Sequence, residues 1–324
     1  MIAWLSRRIG QALLVVVAMT MIVFIGMHAI GNPADILIGE DLNQQERLEA
    51  IARLGLDKPL WEQYVAFVEG AARGNLGRSF VYQEDAVRLI LQRLPATLEL
   101  AVGALVMAIV IGVPLGLYAG MKPDHWVSKA LMAGSIVGFS LPAFWVALML
   151  IMVFSVQLGW LPASGRGATV SVLGVPWSFL TLDGLHHLLL PAFNLALFKI
   201  SLVMRLTRAG VREILPQDFV KFARAKGLTT LRVMVKHVLR NTLIPLVTVL
   251  GLELGSTIAF AIVTETIFAW PGAGKLILDS INSLDRPVVV AYLIVVVTLF
   301  VTINLVVDVL YRLLDPRVRL EAAK

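Results

Sequence analysis

The sequence contains no cysteine, and this absence excludes several kinds of chemistry at once. Without a thiol the chain can form no disulfide, thiolate metal site, cysteine nucleophile or iron–sulfur ligation. Charged residues are also scarce, because they make up 15% of the chain, whereas soluble proteins carry about a quarter. Together with 58% hydrophobic residues and a mean hydropathy of +0.82, this composition indicates an integral membrane protein.

Sequence motifs for nucleotide and metal chemistry are missing as well. No segment matches the phosphate-binding loop G-x-x-x-x-G-K-[ST]; the nearest cluster, Gly272-Ala-Gly-Lys275, has the wrong spacing. Any ATP hydrolysis linked to this chain would therefore need another chain. No H-E-x-x-H motif occurs, and the adjacent His186 and His187 do not share a helical face. The sequence therefore shows no set of residues that would form the catalytic site of an intramembrane enzyme.

Long apolar runs dominate the sequence instead. A helix needs about 20 apolar residues to cross a hydrocarbon core about 30 Å thick, and only helices or closed barrels satisfy their backbone there. The run after Arg7 and Arg8 is too long for a signal-peptide core, so it is interpreted as a retained first span. The predicted spans are residues 9–30, 97–119, 131–158, 186–204, 242–264 and 287–311.

The distribution of lysine and arginine predicts that both termini are cytoplasmic. Positive residues concentrate in the cytoplasmic loops of membrane proteins. Segment 205–241 carries nine of them, whereas loops 159–185 and 265–286 together carry three. The net charge of +6 is thereby explained without nucleic-acid binding. The three positive residues in loops 159–185 and 265–286 are Arg166, Lys275 and Arg286.

Segment 31–95 is predicted to form an extracytoplasmic helical cap between spans. Asn43 and Glu46 resemble a capping box, and Pro59 suits the first turn of a second helix. A third amphipathic piece leads to Pro95 and the second span. Packing on the spans is the favoured interpretation, and docking of an extracytoplasmic partner is the alternative. The second helix would present one apolar face made of Trp61, Tyr64, Val65 and Val68.

Segment 205–241 is too long for a simple turn and is predicted to hold short helices interrupted near Pro216 and Gly227. Two phenylalanines on one face need an apolar surface to cover them, which could be the membrane surface or a groove of another protein. The two are Phe219 and Phe222. The spacing i, i+3, i+4 and i+7, which is typical of one face of a helix, is found at Phe219, Phe222, Ala223 and Lys226.

Ionisable residues within spans are costly and usually face the protein interior or water. Glu253 lies near the middle of the fifth predicted span, so it is the best candidate for a residue that lines a pathway. A hydrogen bond to a neighbouring helix is an equally good interpretation of Glu253. For Glu99, Glu265, Asp308 and Lys199, which lie nearer the span ends, the hydrogen bond is favoured.

Several motifs give the chain a family resemblance. Phe222-Ala-Arg-Ala-Lys-Gly227, followed by a segment from His237 to Pro245, resembles the cytoplasmic coupling loop of binding-protein-dependent ABC permeases. It is most similar to the dipeptide, oligopeptide and glutathione branch. The family pattern Glu-Ala-Ala-x₃-Gly is matched at Ala223 and Gly227 only. Further similar motifs are Leu54 to Pro59, Gly74 to Gly77, Leu94 to Leu100, Leu161 to Arg166, Thr264 to Gly272 and Asp308 to Arg317.

The resemblance implies an all-α membrane protein with about six transmembrane helices and the type I ABC importer permease fold. Residues 1–30 would hold the first span, 31–95 the cap, and 96–324 the core with its coupling loop at about 205–241. It also implies a bacterial inner-membrane protein paired with a second homologous permease. The implied ATPase-coupling residues are Asp218, Phe219, Phe222, Ala223, Arg224, Ala225, Lys226, Gly227 and Leu228.

The implied function is ATP-driven import of dipeptides or short oligopeptides. Two cytoplasmic ATPases would carry the ATP and magnesium, with no cofactor in this chain, and an extracytoplasmic binding protein would deliver the substrate. Glutathione and nickel permeases share most of the motifs, so these ligands stay open. A different class, a stand-alone channel or ion-coupled carrier that uses Glu253, is the other alternative.

Overall fold

The computed structural model describes residues 2–30, 45 and 57–314, and most of them are helical. Two π-helical turns, Ile151–Gln157 and Met234–Leu239, directly continue α-helices. The α-helices are α1 (Ile2–Ile30), α2 (Leu60–Ala72), α3 (Ala86–Met121), α4 (Trp126–Ser140), α5 (Ala143–Leu150), α6 (Leu182–Ile214), α7 (Asp218–Ala225), α8 (Thr230–Val233), α9 (Arg240–Phe260), α10 (Ile262–Ile267), α11 (Ala273–Asn282) and α12 (Arg286–Leu314).

One antiparallel β-hairpin interrupts the helices. Strand β1 (Val170–Val172) pairs with β2 (Val175–Trp177), with Val172 opposite Val175. The hairpin lies in the loop 159–185 that connects the third and fourth predicted spans. Two sequence predictions, the capping box at Asn43 and Glu46 and the end of the carboxy-terminal motif at 315–317, fall outside the described residues.

The number of spans agrees with the sequence prediction if bent helix pairs are counted as single spans. Among the described residues, four helices are long and apolar enough to cross a membrane: Ser6–His28 within α1, all of α3, all of α6 and Arg286–Val309 within α12. Two further spans are bent pairs. These pairs are Trp126–Ser140 with Ala143–Gln157, bent by 106°, and Thr230–Leu243 with Leu246–Phe260, bent by 54°.

Among the predicted boundaries that differ from the structure, two involve proline. The third predicted span, 131–158, is two helices, because Leu141 is extended with ψ 135° and the residue before a proline disfavours the helical region. By contrast, the sequence predicts that Pro95 separates a cap helix from the second span, but Pro95 lies inside α3. Its missing hydrogen bond is outweighed there by a buried apolar face, to which Leu100 belongs.

The chain divides into two compact units, and the smaller one comprises residues 1–92 and 277–302. Within it, α2 packs on α1: the Phe24 ring lies 5.4 Å from the Tyr64 ring and 5.9 Å from that of Phe67. The predicted apolar face of α2 is used only in part, because Trp61 and Val65 are exposed.

A buried carboxylate organises a second part of this unit. Asp285 accepts hydrogen bonds from the Ser79 hydroxyl and from the backbone N–H groups of Phe80 and Val81. Asp285 immediately precedes α12. These bonds therefore fasten the segment before α3 to the start of the last span.

The larger unit comprises residues 93–276 and 303–324, and its core is the packing of α3 against α6. A Cβ atom added at Gly116 would lie 2.6 Å from the Thr207 Cβ, and one at Gly120 would lie 2.7 Å from the Val211 Cβ. Real Cβ atoms essentially never approach so closely. Glycine at every fourth position therefore lets the two helices pack in close contact.

Candidate functional site

Helix α7 is the first candidate, because it lies in the segment that the sequence predicts to be cytoplasmic. It begins two residues after Pro216 and ends at Ala225, two residues before Gly227, so both predicted interruptions are confirmed. One side of α7 is buried through Val220 and Ala223. These two side chains pack in an apolar cluster with Val211, Ile214, Val233, Met234 and Val238.

The opposite side of α7 is an exposed aromatic surface. Phe219 is 41% exposed and Phe222 is 62% exposed. The Lys226 ammonium lies 4.5 Å from the centre of the Phe222 ring, which is cation–π geometry. The predicted common face of Phe219, Phe222 and Lys226 agrees with these positions. Ala223, one turn after Phe219, lies at the buried edge of that face, where it packs beside Val220.

Charges flank this surface. Lys221 donates a hydrogen bond of 2.9 Å to Asp218, and this contact lowers the pKa of the Asp218 carboxyl. Arg224 and Ala225 are exposed, and Leu228 is half-buried against the apolar cluster. Gly227 has φ +75°, a conformation in which glycine ends a helix at little cost.

Glu253 forms an ion pair with a neighbouring helix. The Lys199 ammonium on α6 donates to Glu253 Oε2 on α9 at 2.7 Å. Both residues lie near the middle of their helices, where an unpaired charge would be costly. The interhelical interpretation of Glu253 is thus correct for this conformation, and sequence reasoning did not identify Lys199 as its partner.

Glu99 holds the β-hairpin loop in place. Its carboxylate accepts hydrogen bonds from Arg166 and from the backbone and hydroxyl of Ser178. Arg166 also donates to the Pro176 carbonyl at 2.7 Å. The favoured interpretation of Glu99 as a hydrogen-bonded residue is confirmed. The sequence places Arg166 in a loop and in a family motif but does not pair it with Glu99, because spacing does not reveal a partner 67 positions away.

Glu265 belongs to α10, and its fully buried carboxylate lies at the start of α11. It accepts hydrogen bonds from the Thr97 hydroxyl at 2.6 Å and from the Lys275 backbone at 2.8 Å. Cβ atoms at Gly272 or Gly274 would overlap this carboxylate. The Gly272-Ala-Gly-Lys275 cluster therefore surrounds the chain's own carboxylate, in the place where a phosphate-binding loop would hold a phosphate. Burial raises the pKa of Glu265.

Comparison with known proteins identifies the family to which these features belong. A family model described as binding-protein-dependent transport system inner membrane component matches residues 112–320. A second model, for the amino-terminal part of such components, matches residues 1–101.

The chain belongs to this family.

Individual relatives agree with the family along the whole chain. The di/tripeptide transport system permease protein DppB of Pseudomonas aeruginosa (strain UCBPP-PA14) is 40% identical, over 98% of this chain and 99% of its own length. The oligopeptide transport system permease protein AppB of Bacillus subtilis (strain 168) is 37% identical, over 98% and 99%.

The fold has a counterpart among solved structures. A chain of the MetNI methionine ABC transporter in an inward-facing conformation matches with a TM-score of 0.53 and 19% identity. The match covers 70% of this chain and 96% of that one. The type I ABC importer permease fold is therefore confirmed, and the binding-protein-dependent permease described here is a multi-pass protein of the inner membrane.

Proposed function

We propose that the chain is a permease subunit of an ATP-driven importer that moves dipeptides or short oligopeptides across the inner membrane. The observation that carries this proposal is the likeness to peptide permeases over 98% of the chain. In this proposal the chain binds no cofactor. ATP and magnesium bind to two cytoplasmic ATPase subunits, a second homologous permease completes the pathway, and an extracytoplasmic binding protein delivers the peptide.

Helix α7 is proposed to be the contact with one ATPase. Its buried side, formed by Val220 and Ala223, fixes the helix to the membrane domain, while its other side leaves Phe219 and Phe222 uncovered. An amphipathic helix with exposed aromatic anchors fits an apolar groove of a partner. The remaining coupling residues, Asp218, Arg224, Ala225, Lys226, Gly227 and Leu228, would frame these two anchors.

Co-purification from native membranes in a mild detergent tests the assembly. Recovery of a second permease and of ATPase subunits with this chain is the expected result. Recovery of this chain alone, under conditions that preserve other such complexes, would contradict the proposal and favour a stand-alone channel or carrier.

A paired substitution tests the contact itself. Phe219→Ala with Phe222→Ala should reduce ATPase co-purification about tenfold or more, because two aromatic anchors are removed while the buried side is kept. Leu231→Ala is the matched control, since Leu231 is also an exposed apolar residue of the same segment. Unchanged ATPase recovery with the double variant would mean that the phenylalanines face lipid.

A further inference from the structure

The ion pair between Lys199 and Glu253 is placed where it can do more than join two helices. It lies near the middle of α6 and α9, both of which belong to membrane spans. Replacing such a buried pair with apolar residues is often neutral or stabilising, so stability alone is a weak reason to place two charges there. A ligand that uses both charges would account for the pair better than stability does.

The two charges differ in how accessible they are. The Lys199 side chain is 8% exposed, and that of Glu253 is 23% exposed. Within the described part of the chain, the contacts of the Glu253 carboxylate with Lys199 and Ser256 both go to Oε2. Since an ionised carboxylate can accept about four hydrogen bonds, Oε1 is open to a further donor. An approaching cation would meet Glu253 first.

Resting on the proposed function, we propose that Lys199 and Glu253 form a subsite for the two free termini of the transported peptide. The peptide's α-ammonium binds the Glu253 carboxylate, and its terminal carboxylate binds the Lys199 ammonium as the pair opens. Each charge exchanges one partner of opposite sign for another, so no bare charge is left within the span. A dipeptide is at most about 7 Å long, which two long side chains can bracket.

This exchange predicts selectivity for zwitterionic peptides. A peptide with an acetylated amino terminus would leave Glu253 unpaired once Lys199 had turned to the peptide. A peptide amide would leave Lys199 unpaired in the same way. Removing one partner of a buried charge pair is strongly unfavourable, so both blocked peptides should be poor substrates.

The experiment uses the complete transporter in proteoliposomes, with its binding protein at a concentration that saturates uptake. The probes are dialanine, N-acetyl-dialanine and dialanine amide, and the affinity of the binding protein for each probe is measured separately. Glu253→Gln should reduce the preference for dialanine over the acetylated peptide about tenfold or more, as expected for one charge-assisted hydrogen bond. Lys199→Met should do the same for dialanine against the amide.

Two controls separate a subsite from a structural ion pair. Glu99→Gln weakens another buried ion pair and should leave both preferences unchanged. The double variant Lys199→Met with Glu253→Gln removes both charges and should keep the fold, so it should import the three peptides with similar efficiency.

The results that would overturn the inference are distinct. If the wild type imports dialanine but the single and double variants keep both preferences, the ion pair is structural and the inference is wrong. If the wild-type complex imports none of the three peptides, the peptide assignment fails and this inference fails with it.

Discussion

Gly227 shows how one residue can control a contact between proteins. Its φ of +75° lies in the left-handed region, and a Cβ atom there would meet no neighbouring atom within 4 Å. Space is therefore free around Gly227, and the constraint is the backbone conformation together with the charge presented beside α7. Asparagine and aspartate both tolerate this conformation better than other side chains do.

Gly227→Asp is accordingly expected to insert normally but to abolish transport, because a negative charge is placed at the proposed ATPase contact. Gly227→Asn is the matched control, since it has the same shape without the charge, and it should keep most of the transport. Uptake by proteoliposomes and ATPase co-purification measure the two effects. Normal transport and ATPase binding in the aspartate variant would contradict the coupling assignment.

Glu265 makes stability depend on pH. Burial raises the pKa of Glu265 above the ordinary value of 4.5. At a pH between these two values, the folded chain keeps a proton on Glu265 that the unfolded chain has released. Stability from this group is therefore complete below pH 4.5 and is lost as pH rises through the raised pKa.

The thermal unfolding temperature of the wild type relative to Glu265→Gln should consequently fall as pH rises above 4.5, and should be constant below it. Tryptophan fluorescence in detergent from pH 4 upward provides the measurement. Glu84→Gln, at an exposed position, is the control and should follow the wild type. Parallel curves for wild type and Glu265→Gln would show that Glu265 does not contribute this dependence.

Candidate residues were more predictable from the sequence than their partners. Glu253, Glu99 and Glu265 stand out because charges are rare in apolar runs. Lys199 stands out for the same reason, but its pairing with Glu253 does not, since the two residues are 54 positions apart. Periodicity describes one helix at a time, so pairings between helices require the tertiary structure.

At the scale of elements, the β-hairpin carries an unusual turn. Leu173 has φ +53° and is fully exposed, and Gly174 has φ +78°. Two positive φ values between paired strands define a type I′ turn, which prefers Asn-Gly. Leucine in this conformation costs roughly 1–2 kcal/mol.

Leu173→Asn should therefore stabilise the hairpin by about 1 kcal/mol and slow amide hydrogen exchange in Val170–Trp177. Leu182→Asn is the control, because it replaces another exposed leucine that lies in α6 and not in the turn. Faster or unchanged exchange in Leu173→Asn would show that the turn is not strained. Lower transport despite a more stable hairpin would reveal a contact made by the leucine.

Helices themselves were easier to predict than their ends. Each apolar run of about 20 residues is helical, either as one helix or as a bent pair, because a backbone in lipid must satisfy its own hydrogen bonds. The predicted boundary at Pro95 is wrong, and a bend of 106° before Pro142 divides the third predicted span into two helices. The same residue breaks or continues a helix according to the packing around it, which local sequence does not contain.

At the scale of the whole molecule, the proposed function makes this chain the permease of an importer whose ATP is hydrolysed by other chains. It has no phosphate-binding loop, and Gly272-Ala-Gly-Lys275 surrounds Glu265 instead. In the proposed importer, energy therefore enters through partner chains.

The purified chain alone in liposomes is thus expected to hydrolyse no ATP and to show no ATP-dependent uptake. The complete complex should hydrolyse ATP and import the peptide. Radiolabelled dialanine and phosphate release measure the two activities. Uptake by the chain alone, driven by a proton or sodium gradient, would contradict the importer and support the ion-coupled carrier.

The glycine contacts between α3 and α6 also have a mechanical consequence. At about 1.5 Å per residue, α6 is about 50 Å long, and it ends at Ile214, shortly before α7 begins at Asp218. Because the two helices are in close contact at Gly116 and Gly120, α3 and α6 should bend and tilt together as one rigid pair. A displacement of α7 would then tilt both helices and so move the distant end of α6.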